Sequence, residues 1–266
     1  MFTLKTPVTL LSLDAIKTEL TQTLPDVKSS HRCEAAARGL GFRTYASLLV
    51  ASRSPDPTIA TAHGAAFSAY LAEHGFNVPP LPFYRAVGRV ALRAVLEKVP
   101  KLTAYGIGVG DPKRKSDGKW ESAHDRQVRF VAAREELLNK VEPFLLSLAF
   151  VSKVQPTKTI REGIGSYSLK HIAEKYACTY PEGDVLGPRY VANGVLIAAA
   201  VHVGFNIKTY VGNLGHDSLN VSFNMSNSSV ADLDCEIRPD GARAQDRRHR
   251  AEMRKFKSYY QAHKAN

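Results

Sequence analysis

The sequence predicts a mainly α-helical α+β protein: a multi-helix globular body, a small antiparallel β element late in the chain, and a basic C-terminal helix. Three observations predict it. Apolar residues recur at three- and four-residue spacing through most of the 266 residues. β-Forming residues pair up around a turn only between Asn206 and Met225. From Ala242 to about Gln261 no Gly or Pro interrupts a cationic, amphipathic repeat. At 44% hydrophobic and 23% charged residues, the composition is that of a soluble globular chain able to bury a sizeable core.

Residues 1–54 read as an N-terminal helical unit. Leu13, Ile16, Leu20 and Leu24 follow Ser12, a permissible N-cap, and Pro25 ends the pattern. A second helix runs from Ser30 to about Gly39, and Thr44 caps a third, Tyr45 to Ser52. The intervening Ala37–Thr44 has the offsets of a helix-turn-helix turn. The helix after it, Tyr45–Ala51, is apolar almost all round, so it suits burial in a helical hairpin better than contact with base edges.

Residues 58–152 form a second helical region after the proline linker Ser54–Thr58, with Thr58 placed to cap a helix from Ile59 to His74. The next helix, Phe83 to about Lys98, carries Arg85, Arg89, Arg93 and Glu97 on one stripe and a packing face on another. That stripe is a solvated face or a phosphate contact. Residues 105–120 are a loop with alternating glycines, in which Lys113, Arg114 and Lys115 stand near the only tryptophan, Trp120. Such a loop clamps phosphate and stacks a base, or is simply solvated; its spacing is neither GxGxxG nor a P-loop. Ser122 and Asp125 open a helix through about Lys140, Pro143 restarts one through Val151, and Lys153–Gly165 reads as a second linker.

Residues 166–237 read as an α+β unit around a buried helix, 192–203, with Asn193 as a cap, Gly204 as the stop and His202 as a cation complementing the helix dipole. Before it, a short helix from Ser166 to Cys178 puts His171, Glu174 and Cys178 at i, i+3 and i+7. Three readings fit: an acid–base pair of His171 and Glu174, part of a metal site with Cys178, or a hydrogen-bonded structural histidine. No second ligand pair accompanies them, so no metal or other cofactor is expected.

The charge is concentrated at the C-terminus. Residues 238–266 hold nine Lys or Arg against three acids, supplying +6 of the net +11. Arg247, Arg250, Arg254 and Lys257 fall at i, i+3, i+7 and i+10, beside an apolar stripe of Met253, Phe256 and Tyr260 that docks on the body or on a partner. Guanidinium groups facing outward suit phosphates, and engaging about four to six of them on duplex DNA gives a salt slope of roughly −3.6 to −5.4.

Leu40-Gly41-Phe42-Arg43-Thr44-Tyr45, Ser168-Leu169-Lys170-His171 and Tyr190-Val191-Ala192-Asn193-Gly194 give the chain a further character. Through them it resembles uncharacterised bacterial proteins associated with plasmids and other mobile elements. The resemblance implies a nucleic-acid context and brings no catalytic or binding residues with it.

The expected function is a nucleic-acid-binding accessory or regulatory protein, with DNA preferred over RNA. Its expected contacts are Arg247, Arg250, Arg254 and Lys257, aided by Lys113, Arg114, Lys115, Arg85, Arg89 and Arg93. The alternatives are a nucleic-acid-processing enzyme using His171 and Glu174, and an interaction protein with a docking tail. No stretch approaches the roughly 18 apolar residues of a membrane span, the N-terminus lacks signal-peptide character, and three scattered cysteines suit a reducing compartment. The expected location is therefore cytoplasmic.

Overall fold

A computed structural model describes residues 2–212 and 215–264, with side chains described through 256. The chain opens with β1 (Lys5–Val8), α1 (Leu10–Thr23), α2 (Ser29–Gly39), α3 (Tyr45–Ser52) and β2 (Thr58–Thr61). β1 and β2 pair antiparallel from Lys5↔Thr61 to Val8↔Thr58. Thr58 is therefore a strand residue and no helix cap: β-branched Thr58, Ile59 and Thr61 find a partner strand about fifty residues upstream, which outweighs the local capping signal. α1 likewise starts earlier than its apolar spacing suggests. Thr9 is the cap and Ser12 the third helical residue of a reciprocal capping box. α3 keeps its expected bounds and Thr44 cap, but only Leu48 and Ser52 are buried and Val50 is 71% exposed.

Next come α4 (Gly64–Glu73), α5 (Leu81–Lys98), the short strands β3 (Leu102–Thr103) and β4 (Gly106–Ile107), α6 (Ala123–Leu138) and α7 (Val141–Val151). α5 buries its apolar side, and α7 is buried along most of its length. The cationic stripe of α5 is partly spent on neighbouring helices: Arg85 pairs with Glu142 on α7, and Arg89 with Glu19 on α1 at 2.7 Å. Arg93 remains exposed.

The last part holds β5 (Pro156–Gly165), α8 (Ser166–Ala173), β6 (Cys178–Thr179), β7 (Val185–Gly187), α9 (Asn193–Val203), β8 (Ile207–Val211), β9 (Asp217–Met225), α10 (Asn227–Ile237) and α11 (Ala242–Lys264). The expected linker at 153–165 is mostly strand, because β5 pairs with β9 in a three-stranded sheet of order β5-β9-β8. α9 is the expected buried helix, closed by Gly204 in the left-handed region at φ 106°. Its His202 is not a cation at neutral pH. Burial, reinforced by the ammonium groups of Lys98 and Lys5, pushes its pKa down to about 4.

One apolar cluster runs without a break from Phe2 to Leu233, drawing on α1, α5, α7, α9 and β9. α11 packs against α10, with Ala244 buried, while Met253 is 45% and Phe256 60% exposed. Met253 and Phe256, the described residues of its apolar stripe, are thus not sunk into the body. No helix among the described residues is long and apolar enough to cross a membrane.

Candidate functional site

Two glycines allow three segments to converge. A Cβ on Gly194, in the first turn of α9, would lie 1.7 Å from the Thr103 carbonyl oxygen, and one on Gly106 would lie 1.9 Å from that of Leu219. Only glycine lets α9, the β3–β4 hairpin and β9 approach this closely, and Gly106 also has φ +135°. Asn193 stands at the junction. Its Nδ2 donates to the Tyr105 and Leu219 carbonyls at 3.1 and 2.9 Å and to Asn220 Oδ1 at 3.2 Å. The expected capping role is not seen: Ala192 is the N-cap, and the Asn193 side chain instead ties three chain segments together. Asn193 is 7% exposed, and its Oδ1 has no partner among the described residues.

Above this junction opens a cleft of about 530 Å³, lined in part by Tyr105, Lys113, Tyr167, Lys170, Tyr190 and Asn193. The tyrosines from β3–β4, α8 and the segment before α9 are 44%, 56% and 67% exposed, unusual for rings of this size. Lys170 lies between two of them, its Nζ 5.3 Å from the Tyr167 ring centroid and 5.1 Å from that of Tyr190. The same ammonium donates to Glu174 Oε1 at 3.0 Å.

Glu174 and His171 are brought together as the spacing suggests, with His171 Nδ1 at 2.9 Å from Glu174 Oε2. Burial alone would raise the Glu174 carboxyl, but hydrogen bonds from Lys170 and His171 outweigh it and hold the group below the ordinary glutamate value. Glu174 is therefore an ionised acceptor that orients His171, rather than an acid. His171 packs edge-on to Tyr167 but does not itself line the cleft. Cys178 does not join them. The helix stops at Ala173, the chain turns, and Cys178 lies on β6 opposite Gly187 with its thiol pushed up by burial. Among the described residues, no cluster of three His, Cys, Asp or Glu could hold a metal.

The basic loop divides its cations. Lys113 reaches the cleft, the Arg114 guanidinium lies 5.1 Å over the exposed Trp120 ring, and Lys115 pairs with Asp125 at 2.5 Å. Beside them Arg129 grips Glu121 through two hydrogen bonds of 2.7 and 2.6 Å, which hold that carboxylate below its ordinary pKa and fix the loop to α6. Arg85, Arg89 and Arg93 lie elsewhere on the surface, on α5.

On the tail, buried Asp234 receives both Arg238 and Arg243, anchoring α11 to α10. Arg247 pairs with Asp232 at 2.6 Å and Arg250 with Asp246 at 2.7 Å, all four side chains more than half exposed. Such pairs are worth little in water and yield readily to another anion. Arg254 is exposed and forms no ion pair among the described residues, while the Lys257 side chain lies outside them.

The aromatic part of the site is not visible from spacing alone. Tyr105, Tyr167, Lys170, Tyr190 and Asn220 meet only through the tertiary approach of their segments. One local signal does exist, Tyr167 and Lys170 at i and i+3 on one helix face. Fold and cleft together describe an α+β protein with an aromatic, cationic groove and a basic helical appendage. Compared with known proteins, the chain matches no family model, no curated protein and no solved structure.

Proposed function

We propose that the protein binds nucleic acid, taking unpaired nucleotides in the tyrosine-lined cleft and engaging flanking phosphates with Lys113, Arg114 and the cations of α11. The observation that carries this reading is the grouping of three exposed tyrosines with Lys113 and Lys170 around one cleft. Base–aromatic stacking is worth about 1–3 kcal/mol per base, and a nearby cation neutralises the phosphate that each base brings. An accessory role in a mobile element rests on the resemblance carried by Ser168–His171 and Tyr190–Gly194 alone.

Fluorescence anisotropy with labelled single-stranded DNA and RNA tests the proposal. The variant Y105A/Y167A/Y190A, if folded as judged by circular dichroism, should bind at least tenfold more weakly than the intact chain. Unchanged binding by that variant, or no binding by the intact protein, rejects it.

A second reading rests on the Glu174–His171 hydrogen bond. A neutral histidine that donates a hydrogen bond from its Nδ1–H to a carboxylate keeps Nε2 as a proton acceptor, the arrangement of a general base in a nucleic-acid-processing enzyme. His171→Ala would then abolish turnover of an oligonucleotide while leaving binding in place; an alanine variant with full turnover removes this reading.

A further inference from the structure

The turn between α2 and α3 is fixed from both sides. α2 closes in a Schellman turn: the Phe42 amide donates to the Ala37 carbonyl at 2.8 Å, the Gly41 amide to that of Arg38 at 3.0 Å, and Gly41 takes the left-handed φ of +83°. Thr44 then opens α3 in a reciprocal capping box with Ser47. Glu34 on α2 accepts the Tyr45 amide at 2.9 Å, so the first helix also holds the start of the second. Two helices whose caps, Leu40 and Thr44, are three residues apart, with a glycine at the bend, make a helix-turn-helix connection.

α3 has two unlike faces. Leu48 and Ser52 are buried and Tyr45 and Ala51 pack against the core, whereas Ala46, Ser47 and Val50 are exposed. Ala46, Val50 and Arg53 fall at i, i+4 and i+7, so they share one outward stripe. A helix whose composition suits burial thus keeps small side chains in the open. Its surroundings are cationic: between Ser29 and Ser54 stand four arginines and one acid, Glu34. Arg32 is spent on the Leu24 and Val27 carbonyls. Arg38, Arg43 and Arg53 are exposed and form no ion pair among the described residues. The first two line a groove of about 440 Å³ beside Tyr70, in which Glu73 is the one acid.

We infer that α2 and α3 form a site for duplex DNA, with the outward face of α3 in the major groove and Arg38, Arg43 and Arg53 on the phosphates beside it. A helix of eight residues is about 12 Å long, close to the roughly 12 Å width of that groove. Side chains as short as Ala46 and Ser47 let the helix backbone sit deep, and the methyl groups of Ala46 and Val50 suit contact with those of thymine. Three guanidinium groups without a carboxylate partner supply the charge that a phosphate backbone complements. The deep, narrow major groove of A-form RNA admits no helix, so duplex RNA does not fit. The site shares no residue with the tyrosine cleft and stands whether or not that cleft takes unpaired nucleotides.

Fluorescence anisotropy of the full chain tests the inference, with a labelled duplex of about 20 base pairs and random sequence and a labelled oligothymidine strand of the same length. R38Q/R43Q/R53Q should bind the duplex at least tenfold more weakly, with the plot of log K against log salt flatter by about 2.7, at roughly 0.9 for each phosphate lost. Its single-strand binding should match that of the intact chain. Val50→Glu sets a carboxylate on the outward face and should weaken the duplex at least fivefold with the single strand unaffected. Should the triple variant fail to fold, Val50→Glu carries the test, since its side chain is 71% exposed. An intact chain that binds the duplex but not the single strand, with the duplex lost in these variants, supports this site and overturns the cleft reading alone. No duplex binding by the intact chain, unchanged duplex binding by the folded variants, or an equal loss on duplex and single strand overturns the inference.

Discussion

Lys170 Nζ lies 5.1 Å from the centroid of the Tyr190 ring while donating to Glu174 at 3.0 Å, so one ammonium joins α8 to the segment leading into α9. The cation is 6% exposed, and its removal leaves the Glu174 carboxylate with only His171 and the Val191 amide. Lys170→Met should therefore destabilise the fold by about 3 kcal/mol in urea denaturation, as expected for half of a buried ion pair. The double variant K170M/E174Q should recover part of that loss. A single variant as stable as the parent would show that the pair contributes nothing.

The close approach that builds the cleft makes an equally direct prediction. Gly194→Ala places a methyl group 1.7 Å from the Thr103 carbonyl oxygen, a backbone atom that cannot swing aside. A Cβ at Gly163 meets nothing within 4 Å. Overpacking of the first kind should cost about 3 kcal/mol or more, lowering the thermal midpoint by about 6–12 °C. Gly163→Ala should leave the midpoint nearly unchanged, and equal behaviour of the two variants would contradict the packing of α9 on the β3–β4 hairpin.

His202 supplies a pH dependence whose sign follows from its surroundings. Its folded pKa of about 4 lies below the ordinary 6.5, so between these values the unfolded chain binds the proton and the folded chain resists it. Stability is fully present above pH 6.5 and falls as the pH drops toward 4, by about 3 kcal/mol in all. Lys98 and Lys5 add to the effect of burial and no carboxylate opposes them among its causes. Chemical denaturation across this range should show the loss in the parent and a correspondingly smaller one in His202→Phe. Parallel pH profiles would remove the assignment.

What can be read from the chain, and what cannot, follows the range of the interactions. α9 is legible because its residues are apolar on every side and Gly204 stops it, both local signals. The capping box of Ser122 and Asp125 is legible for the same reason. β5 is not, because its charged and glycine-bearing sequence becomes a strand only by pairing with β9, about sixty residues away. α10 escapes a sequence reading because Asn227, Ser228 and Ser229 are poor helix formers, held by the Ser226 cap and by burial of Val230 and Leu233. The His171–Glu174 contact lies within one helical turn and is visible, whereas Tyr105, Tyr167 and Tyr190 need the approach that Gly106 and Gly194 permit.

The tail can be tested by freeing its charges as well as by removing them. Arg247 and Arg250 are held by Asp232 and Asp246 in exposed pairs, while Arg254 forms no ion pair among the described residues. If α11 meets phosphates, R247Q/R250Q/R254Q should weaken single-strand binding and flatten the plot of log K against log salt by about 2, at roughly 0.7 for each phosphate no longer engaged. D232N/D246N should act in the opposite direction, tightening binding at low salt because two guanidinium groups no longer have a competing carboxylate. A tail that serves only to dock on a protein partner predicts no change in the salt slope with either variant. That result would confine single-strand binding to the tyrosine cleft.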